Sequence, residues 1–315
     1  MSKRALGALL AVLGLTLAVA ACGSSSGSST TNSSGGASGK STPAASGALI
    51  QKDPANASKT FTVGSKNFDE EFILGEIYAQ SLEAAGFKVS KQLDLGSEQI
   101  AYKALRSGDV DAYPEYSGTA LTNFYKVKVD AIPRDKDKSY QLLKQDAAKD
   151  GVTALPQTPY QNTFVVTSNQ ATAKKYGNPK TLSEVAAKAG SKGSISGFPE
   201  CRQRTDCLVG LKNVYKWTPK FVSSQGKYAD LDAKQADFTF GFGTDGEQLL
   251  SKYVHYADDK QLFPPYYISL LTRNAAVAKL GKSGLAVIAK VQQPLTEKVM
   301  AELNSRVSID KQKPE

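Results

Sequence analysis

The sequence predicts an α/β fold, in which short β-strands alternate with α-helices. At residues 61–85, a β-type run is followed by a glycine turn and then by apolar residues at helical spacing, which is how an α/β unit begins. The alternation continues along the chain without a repeat of fixed period, so a solenoid is not expected. The folded part has about 255 residues, enough for one large domain or two medium domains.

The individual elements follow from apolar spacing and from the residues expected at helix ends. Ser97 is expected to cap a short helix that Gly108 ends. The predicted strands lie at 61–63, 87–89, 109–113, 162–167, 194–196, 238–240 and 266–272. The predicted helices lie at 72–85, 100–105, around 121–124, 182–189, 208–215 and 285–303.

Residues 1–21 are predicted to be a secretory signal peptide. Lys3 and Arg4 precede 17 uncharged, mostly apolar residues that end in small side chains, which is the layout of such a segment. Cys22 follows directly, as in the bacterial lipobox that this region resembles, in which the new N-terminal cysteine receives the lipid. A transmembrane helix is the alternative, because the apolar run approaches the length that spans a bilayer.

Residues 22–57 are predicted to be a lipidated N-terminus and flexible linker. The stretch 23–48 consists almost entirely of Ser, Gly, Thr, Asn and Ala, which cannot bury enough apolar surface to offset the entropy of ordering. The formal net charge is +9, and +7 once the signal peptide is removed. The basic residues of the protein are scattered along the chain. We therefore expect a solvated surface near anionic lipid or cell wall, and no nucleic-acid partner.

Cys201 and Cys207 are predicted to form a disulfide, because an exported chain meets an oxidising environment. Free thiols and a metal site are the alternatives, but a zinc site needs more ligands than the single histidine, His255, supplies. With one histidine and no recognisable base beside either cysteine, no set of catalytic residues emerges. We therefore expect neither an enzyme nor a cofactor.

Aromatic residues are concentrated at predicted strand ends and turns, where side chains can face a cleft. They are Tyr113, Tyr116, Tyr160, Phe164, Phe242, Phe263, Tyr266 and Tyr267. A quaternary ammonium group cannot donate a hydrogen bond, but the negative face of an aromatic ring attracts it. The pattern is therefore typical of a cation-binding cage, although ordinary core packing also explains any single ring.

Five segments lie at 64–76, 113–119, 161–164, 244–246 and 263–267 and carry a family resemblance. In sequence and in order they resemble the glycine betaine, carnitine and choline-binding proteins of osmoprotectant ABC transporters. The resemblance implies a two-lobed periplasmic-binding-protein fold of type II, in which each lobe is a mixed sheet flanked by helices and the ligand lies in the cleft between them. It further implies lobe 1 at 58–162 plus 268–315 and lobe 2 at 163–267.

The resemblance also implies an aromatic cage for the ligand. Its positions in this sequence are Tyr116, Phe164, Phe242 and Tyr266. Family members commonly have Tyr where this chain has Phe164 and Phe242, so the ring faces are kept while two hydroxyl groups are lost. Binding of the cation is expected to persist, with altered finer specificity.

A carboxylate on the ligand is implied to meet Lys66, Thr119 and Arg204. The family usually has an arginine shortly before an Asp-Gly pair, and Arg204 fits if Cys207 replaces the glycine, with Arg202 as the alternative. Gln99 is placed on the pocket wall. A neutral amide there would accept zwitterions, whereas an acidic residue would favour a purely cationic ligand such as choline.

Together these features predict an extracytoplasmic, monomeric substrate-binding protein of an ABC importer. It would be held at the cell membrane by a lipid on Cys22 and would deliver a quaternary ammonium osmoprotectant to a permease driven by its ATPase. A surface lipoprotein with the same fold and a structural, adhesion or sensing role is the alternative.

Overall fold

The computed structural model of the protein describes residues 50–315. The predicted signal peptide, Cys22 and most of the predicted linker lie outside this range. Residues at the end of that linker pack against the fold: the buried Asn56 side chain donates hydrogen bonds to the Ala85 carbonyl at 3.0 Å and to Ser283 Oγ at 3.1 Å. Within residues 50–315, no helix is both long and apolar enough to cross a membrane.

The described chain forms two five-stranded mixed sheets. The first has the order β2-β1-β3-β10-β4 and contains β1 (Thr60–Gly64), β2 (Lys88–Gln92), β3 (Ala112–Tyr116), β4 (Val152–Ala154) and β10 (Ile268–Arg273). The second has the order β7-β6-β8-β5-β9 and contains β5 (Phe164–Asn169), β6 (Ser194–Gly197), β7 (Lys220–Ser223), β8 (Phe238–Phe242) and β9 (Tyr253–Tyr256). We call each sheet with its flanking helices a lobe.

The helices flank these sheets. They are α1 (Asp69–Ala84), α2 (Glu98–Ser107), α3 (Ser117–Thr119), α4 (Lys136–Lys149), α5 (Gln170–Lys175), α6 (Leu182–Ala189), α7 (Leu208–Tyr215), α8 (Tyr228–Asp232), α9 (Asn274–Gln292) and α10 (Glu297–Ser308). A π-helical turn at Ala120–Phe124 continues α3. The predicted two-lobed α/β architecture is confirmed.

Both sheets use the same design. In each, three strands run parallel and the strand inserted next to them runs antiparallel, which is β10 in the first lobe and β5 in the second. Each inserted strand begins where the chain has crossed from the other lobe. The crossings therefore place chain segments from both lobes beside one another, and the largest cluster of buried apolar side chains contains residues of both sheets.

Two predicted elements differ from those observed. The helix expected at 285–303 is divided into α9 and α10, because Pro294 lies between them and Thr296 caps α10 by accepting a hydrogen bond from the Val299 amide. The strand expected at 109–113 is shifted to β3, so that Pro114 lies inside a buried strand. Gly108, by contrast, ends α2 with a φ of 90° in the left-handed region, as predicted.

Candidate functional site

A cavity of about 380 Å³ is lined by residues of both lobes. Among the side chains predicted to bind the ligand, those lining it are Lys66, Tyr116, Thr119, Phe164, Arg204, Phe242 and Tyr266. Tyr116, Phe164 and Phe242 lie at the ends of β3, β5 and β8, and Thr119 lies in α3. The other three lie in the connections that follow β1 and β6 or precede β10. The fold therefore brings together residues that are far apart in the sequence.

Six of the seven aromatic side chains that line the cavity form a continuous band, and the seventh is Phe72. We use the name aromatic band for Phe68, Tyr116, Phe164, Phe198, Phe242 and Tyr266. The ring centroids of Phe164 and Phe242 are 5.2 Å apart, because these residues are direct partners in the antiparallel register of β5 and β8. Phe164 also meets Tyr266 at 5.5 Å, and Phe68 lies 5.7 Å from Phe242.

Tyr266 is held in place by the start of α3. Its ring lies against Gly118, where a Cβ atom would come within 2.7 Å of the ring, so only glycine permits this approach. The Ser117 hydroxyl donates to the Pro265 carbonyl at 2.8 Å, and the Tyr266 hydroxyl donates to Asp206 Oδ2 at 2.7 Å. The ring therefore has a fixed orientation towards the cavity.

Tyr116 is anchored through Glu70, which lies at the centre of a buried network. Glu70 Oε1 accepts hydrogen bonds from the Tyr116 hydroxyl at 2.8 Å and from Asn162 Nδ2 at 3.0 Å. Glu70 Oε2 accepts hydrogen bonds from the Thr244 hydroxyl and, at 2.8 Å, from Asn304 Nδ2. Burial raises the pKa of Glu70 although these donors oppose it. One carboxyl group thus links the aromatic band to both lobes.

Lys66 belongs to a buried group that lies within the first lobe. We call Lys66, Glu71 and Glu115 the lysine cluster. Lys66 Nζ is 2.5 Å from Glu115 Oε1 and 3.6 Å from Glu71 Oε1, and it lies 4.5 Å from the centre of the Tyr116 ring. Burial lowers the pKa of Lys66, but Glu115 and Glu71 outweigh it and the net pKa is raised. Lys66 therefore carries its charge beside the band.

Arg204 belongs to a second buried group, which joins the lobes. We call Arg204, Asp206 and Glu98 the arginine cluster. Arg204 donates to Asp206 through Nε at 2.9 Å and Nη2 at 2.6 Å, and its Nη1 lies 3.4 Å from Glu98 Oε1. Burial lowers the pKa of Arg204, whereas Asp206 and Glu98 raise it, with an upward net shift. Nη2 also lies 3.3 Å from Thr119 Oγ1.

The loop that carries Arg204 is closed by a disulfide between Cys201 and Cys207, as predicted, with Cα atoms 5.3 Å apart. Both cysteines are fully buried, and the loop turns the Arg204 side chain inward. Arg202, the alternative for the carboxylate contact, is exposed and its guanidinium lies 4.9 Å from the centre of the Phe221 ring, outside the cavity. Arg204 is therefore the arginine that faces the cavity.

The placement of Gln99 on the pocket wall is wrong. Gln99 is exposed, and its neighbour Glu98 is buried and lines the cavity instead. The reason is helical geometry: Ser97 precedes α2, and consecutive residues of a helix point about 100° apart. The pocket wall at this point is thus acidic rather than neutral.

Phe68 and Phe198 are members of the aromatic band that the sequence analysis did not assign. Phe68 lies inside the segment 64–76 that carried the family resemblance, immediately before α1. Phe198 directly follows β6, so the rule that aromatic residues at strand ends face the cleft also applies to it. Within residues 50–315, no group of three or more His, Cys, Asp and Glu residues could hold a metal ion.

Comparisons with known proteins identify the family and relatives of this chain. The family model for the substrate binding domain of the ABC-type glycine betaine transport system matches residues 59–315. A glycine-betaine-binding protein of Pseudomonas aeruginosa is 28% identical over 272 residues, which cover 82% of this chain and 85% of that relative. The glycine betaine-binding protein YehZ of Escherichia coli is 24% identical over 274 residues, covering 82% and 88%.

A solved structure described as a glycine betaine/carnitine/choline ABC transporter covers 81% of this chain and 94% of its own, with a TM-score of 0.64 at 24% identity. This likeness confirms the predicted periplasmic-binding-protein fold. The relatives are binding proteins rather than enzymes, as was predicted for this chain. Because the family model covers nearly all of the described residues, this chain belongs to the family of substrate-binding domains of ABC-type glycine betaine transport systems.

Proposed function

We propose that the protein captures a quaternary ammonium osmoprotectant outside the cytoplasm and delivers it to the permease of an ABC importer. The observation that carries this proposal is the aromatic band, whose rings come from both lobes and line one cavity. Such a band suits a cation that cannot donate hydrogen bonds, because each well-placed ring face contributes about 0.5–2 kcal/mol. Glycine betaine, choline and carnitine all carry this head group.

The arginine cluster supports a role in binding a carboxylate. Asp206 accepts hydrogen bonds from Nε and Nη2 of Arg204, so Nη1, with its long contact to Glu98, is the donor most readily turned to a ligand. The Thr119 hydroxyl lies beside this guanidinium. Lys66 adds a positive charge beside the Tyr116 ring, although its ammonium is already paired with Glu115. We therefore assign the main carboxylate contact to Arg204 and Thr119.

The remaining parts of the proposal concern how the protein is held and how it acts. We propose cleavage of the signal peptide at residue 21, a lipid anchor on Cys22, and a monomer that keeps its cleft close to the permease and its ATPase. The lobe boundaries proposed are 58–162 with 268–315 and 163–267. Closure of the lobes around the ligand would create the surface that the permease recognises.

Ligand binding tests the proposal directly. Thermal unfolding of the protein should be measured with glycine betaine, choline, carnitine and proline betaine, and with ethanolamine as a matched control for choline. Ethanolamine shares the alcohol but has a primary ammonium group, so it is strongly hydrated and should give no stabilisation. We expect a rise in Tm with one or more of the quaternary amines, since a ligand that binds only the folded state stabilises it. If none of them raises Tm above the ethanolamine control, the proposal is wrong.

A further inference from the structure

The cavity has a third cation whose surroundings differ from those of Lys66 and Arg204. Lys227 lines the cavity, and its ammonium lies 5.0 Å from the centre of the Phe242 ring and 2.6 Å from Asp245 Oδ1. Its side chain is 29% exposed, whereas those of Lys66 and Arg204 are each 5% exposed. Lys227 is therefore the cation that can move at the lowest desolvation cost.

Asp245 keeps two of its hydrogen bonds when the Lys227 ammonium moves away. Its Oδ2 atom accepts hydrogen bonds from the Phe242 amide at 2.7 Å and from the Tyr228 hydroxyl at 3.0 Å, and neither donor involves Lys227. Its Oδ1 atom, which Lys227 contacts, would give up that cation. Because Oδ2 stays hydrogen-bonded and the Lys227 side chain is partly exposed, exchange of this ion pair costs less than removal of the buried cations Lys66 or Arg204.

The Lys227 ammonium also has space into which it can move. A second cavity of about 530 Å³ adjoins the first, and Lys227 lines both. Asp69 and Glu247 line this second cavity and contribute to raising the pKa of Lys227, after the opposing effect of burial and the larger effect of Asp245. Lys227 therefore lies where the two cavities meet, with open space next to its ammonium.

The backbone at Lys227 is held in an unusual conformation. Lys227 has φ 43° and ψ −108°, a backbone conformation that residues other than glycine seldom adopt, and it follows Gly226. Such strain persists only where the surrounding structure enforces it, and it is concentrated at functional positions. This backbone angle is an observation independent of the ion pair.

We propose that Lys227 is a movable cation that selects for ligands carrying a carboxylate. It leaves Asp245 and the face of Phe242 to approach the carboxylate of a zwitterionic ligand, and its positive charge opposes a purely cationic ligand in the same band. This inference rests on the proposed function and specifies its ligand class as zwitterionic quaternary amines, with choline disfavoured.

Calorimetric titration with glycine betaine and with choline tests this proposal. Lys227→Met keeps the length of the side chain and removes the charge, so we expect affinity for glycine betaine to fall about tenfold and affinity for choline to rise about threefold. Lys227→Arg keeps the charge and should retain the wild-type preference. Lys227→Gln provides a second neutral variant should the methionine variant fail to fold, which circular dichroism would reveal.

Lys252→Met is the matched control, because Lys252 is also paired with an aspartate, Asp232, and lies over the ring of Tyr253, yet outside both cavities. It should change neither affinity. Equal shifts for the two ligands in the neutral Lys227 variants, or unchanged affinities, would overturn the role of Lys227 while wild-type binding still supports the proposed function. A wild-type protein that binds none of glycine betaine, choline, carnitine and proline betaine would overturn both.

Discussion

The lysine cluster and the arginine cluster are both buried ion-pair groups at the same cavity, but they hold different parts of the molecule. The lysine cluster lies entirely in the first lobe: Lys66 follows β1, Glu71 lies in α1 and Glu115 lies in β3. The arginine cluster pairs an arginine and an aspartate of the second lobe with Glu98 of the first. The lysine cluster therefore contributes to one lobe alone, whereas the arginine cluster fastens one lobe to the other.

The clusters also differ in how completely their polar atoms are satisfied. In the arginine cluster, Asp206 accepts hydrogen bonds from Arg204, Tyr266 and Thr122. In the lysine cluster, Glu71 Oε1 is buried without a hydrogen-bond partner, and its nearest cation lies 3.6 Å away. Removing the cation from the hydrogen-bonded Asp206 is costly in free energy, whereas a carboxyl group with an unpartnered oxygen, such as Glu71, more readily holds a proton.

The largest expected effect comes from breaking the arginine cluster. Arg204→Ala leaves the buried Asp206 without its cation, so we expect the free energy of unfolding to fall by about 3–5 kcal/mol in urea denaturation. Arg202→Ala is the control, since Arg202 is exposed and its replacement should change stability by less than about 1 kcal/mol.

Where the Arg204→Ala variant still folds, it should lose affinity for glycine betaine more than for choline. Equal losses for the two ligands would remove Arg204 from the carboxylate contact.

The lysine cluster should make stability depend on pH. Burial raises the pKa of Glu71 to about 8, although Lys66 opposes this shift. The folded state therefore holds a proton that the unfolded state releases at lower pH, so stability is greatest below the ordinary glutamate pKa and declines as pH rises through about 8. Over that range we expect a loss on the order of 2–4 kcal/mol from this group.

Glu71→Gln isolates this contribution, because glutamine keeps the shape of the neutral side chain. The difference in unfolding free energy between the variant and the wild type, measured from pH 4 to pH 9, should grow with pH in favour of the variant. The opposite contribution of His255, whose pKa is lowered by burial, is common to both proteins and cancels. A difference that does not vary with pH would show that folding leaves the pKa of Glu71 unchanged.

Each cluster also places its cation over two rings of the aromatic band. The nearer ring is Tyr116 for Lys66, at 4.5 Å, and Phe164 for Arg204, at 5.3 Å. We expect Tyr116→Ala and Phe164→Ala to weaken glycine betaine and choline alike, by about tenfold each, because both ligands share the head group. Tyr116→Phe is the control: it keeps the ring and loses only the hydrogen bond to Glu70. Calorimetry that shows selective loss of one ligand would mean that these rings do not contact the quaternary ammonium.

The positions of the aromatic residues could be predicted from sequence because two local signals agreed. Tyr116, Phe164 and Phe242 stand at strand ends, and Tyr116 and Phe164 also fall in the segments that resembled the family. The disulfide could be predicted equally well, since Cys201 and Cys207 are close in sequence. Local pattern and fold agree at these positions.

The acidic partners could not be predicted in the same way. Glu115 reaches Lys66, and Glu98 reaches Arg204, only once strands and lobes are assembled, and neither pair has a characteristic spacing. The wrong placement of Gln99 on the pocket wall, where the structure has Glu98, has a related cause. Apolar spacing locates α2 along the chain, but the face that meets the cavity depends on the lobe packed opposite.

The smallest expected effect comes from Glu98, because Asp206 can hold Arg204 in place without it. Glu98→Gln removes a negative charge from the cavity wall and frees Nη1 of Arg204. We expect affinity for choline to fall and affinity for glycine betaine to rise, each by less than about 1 kcal/mol. The exposed neighbour supplies the control, since Gln99→Asp should alter neither affinity measured by calorimetry. If Gln99→Asp shifts the preference towards choline while Glu98→Gln has no effect, then Gln99 faces the ligand and the orientation of α2 differs from that described.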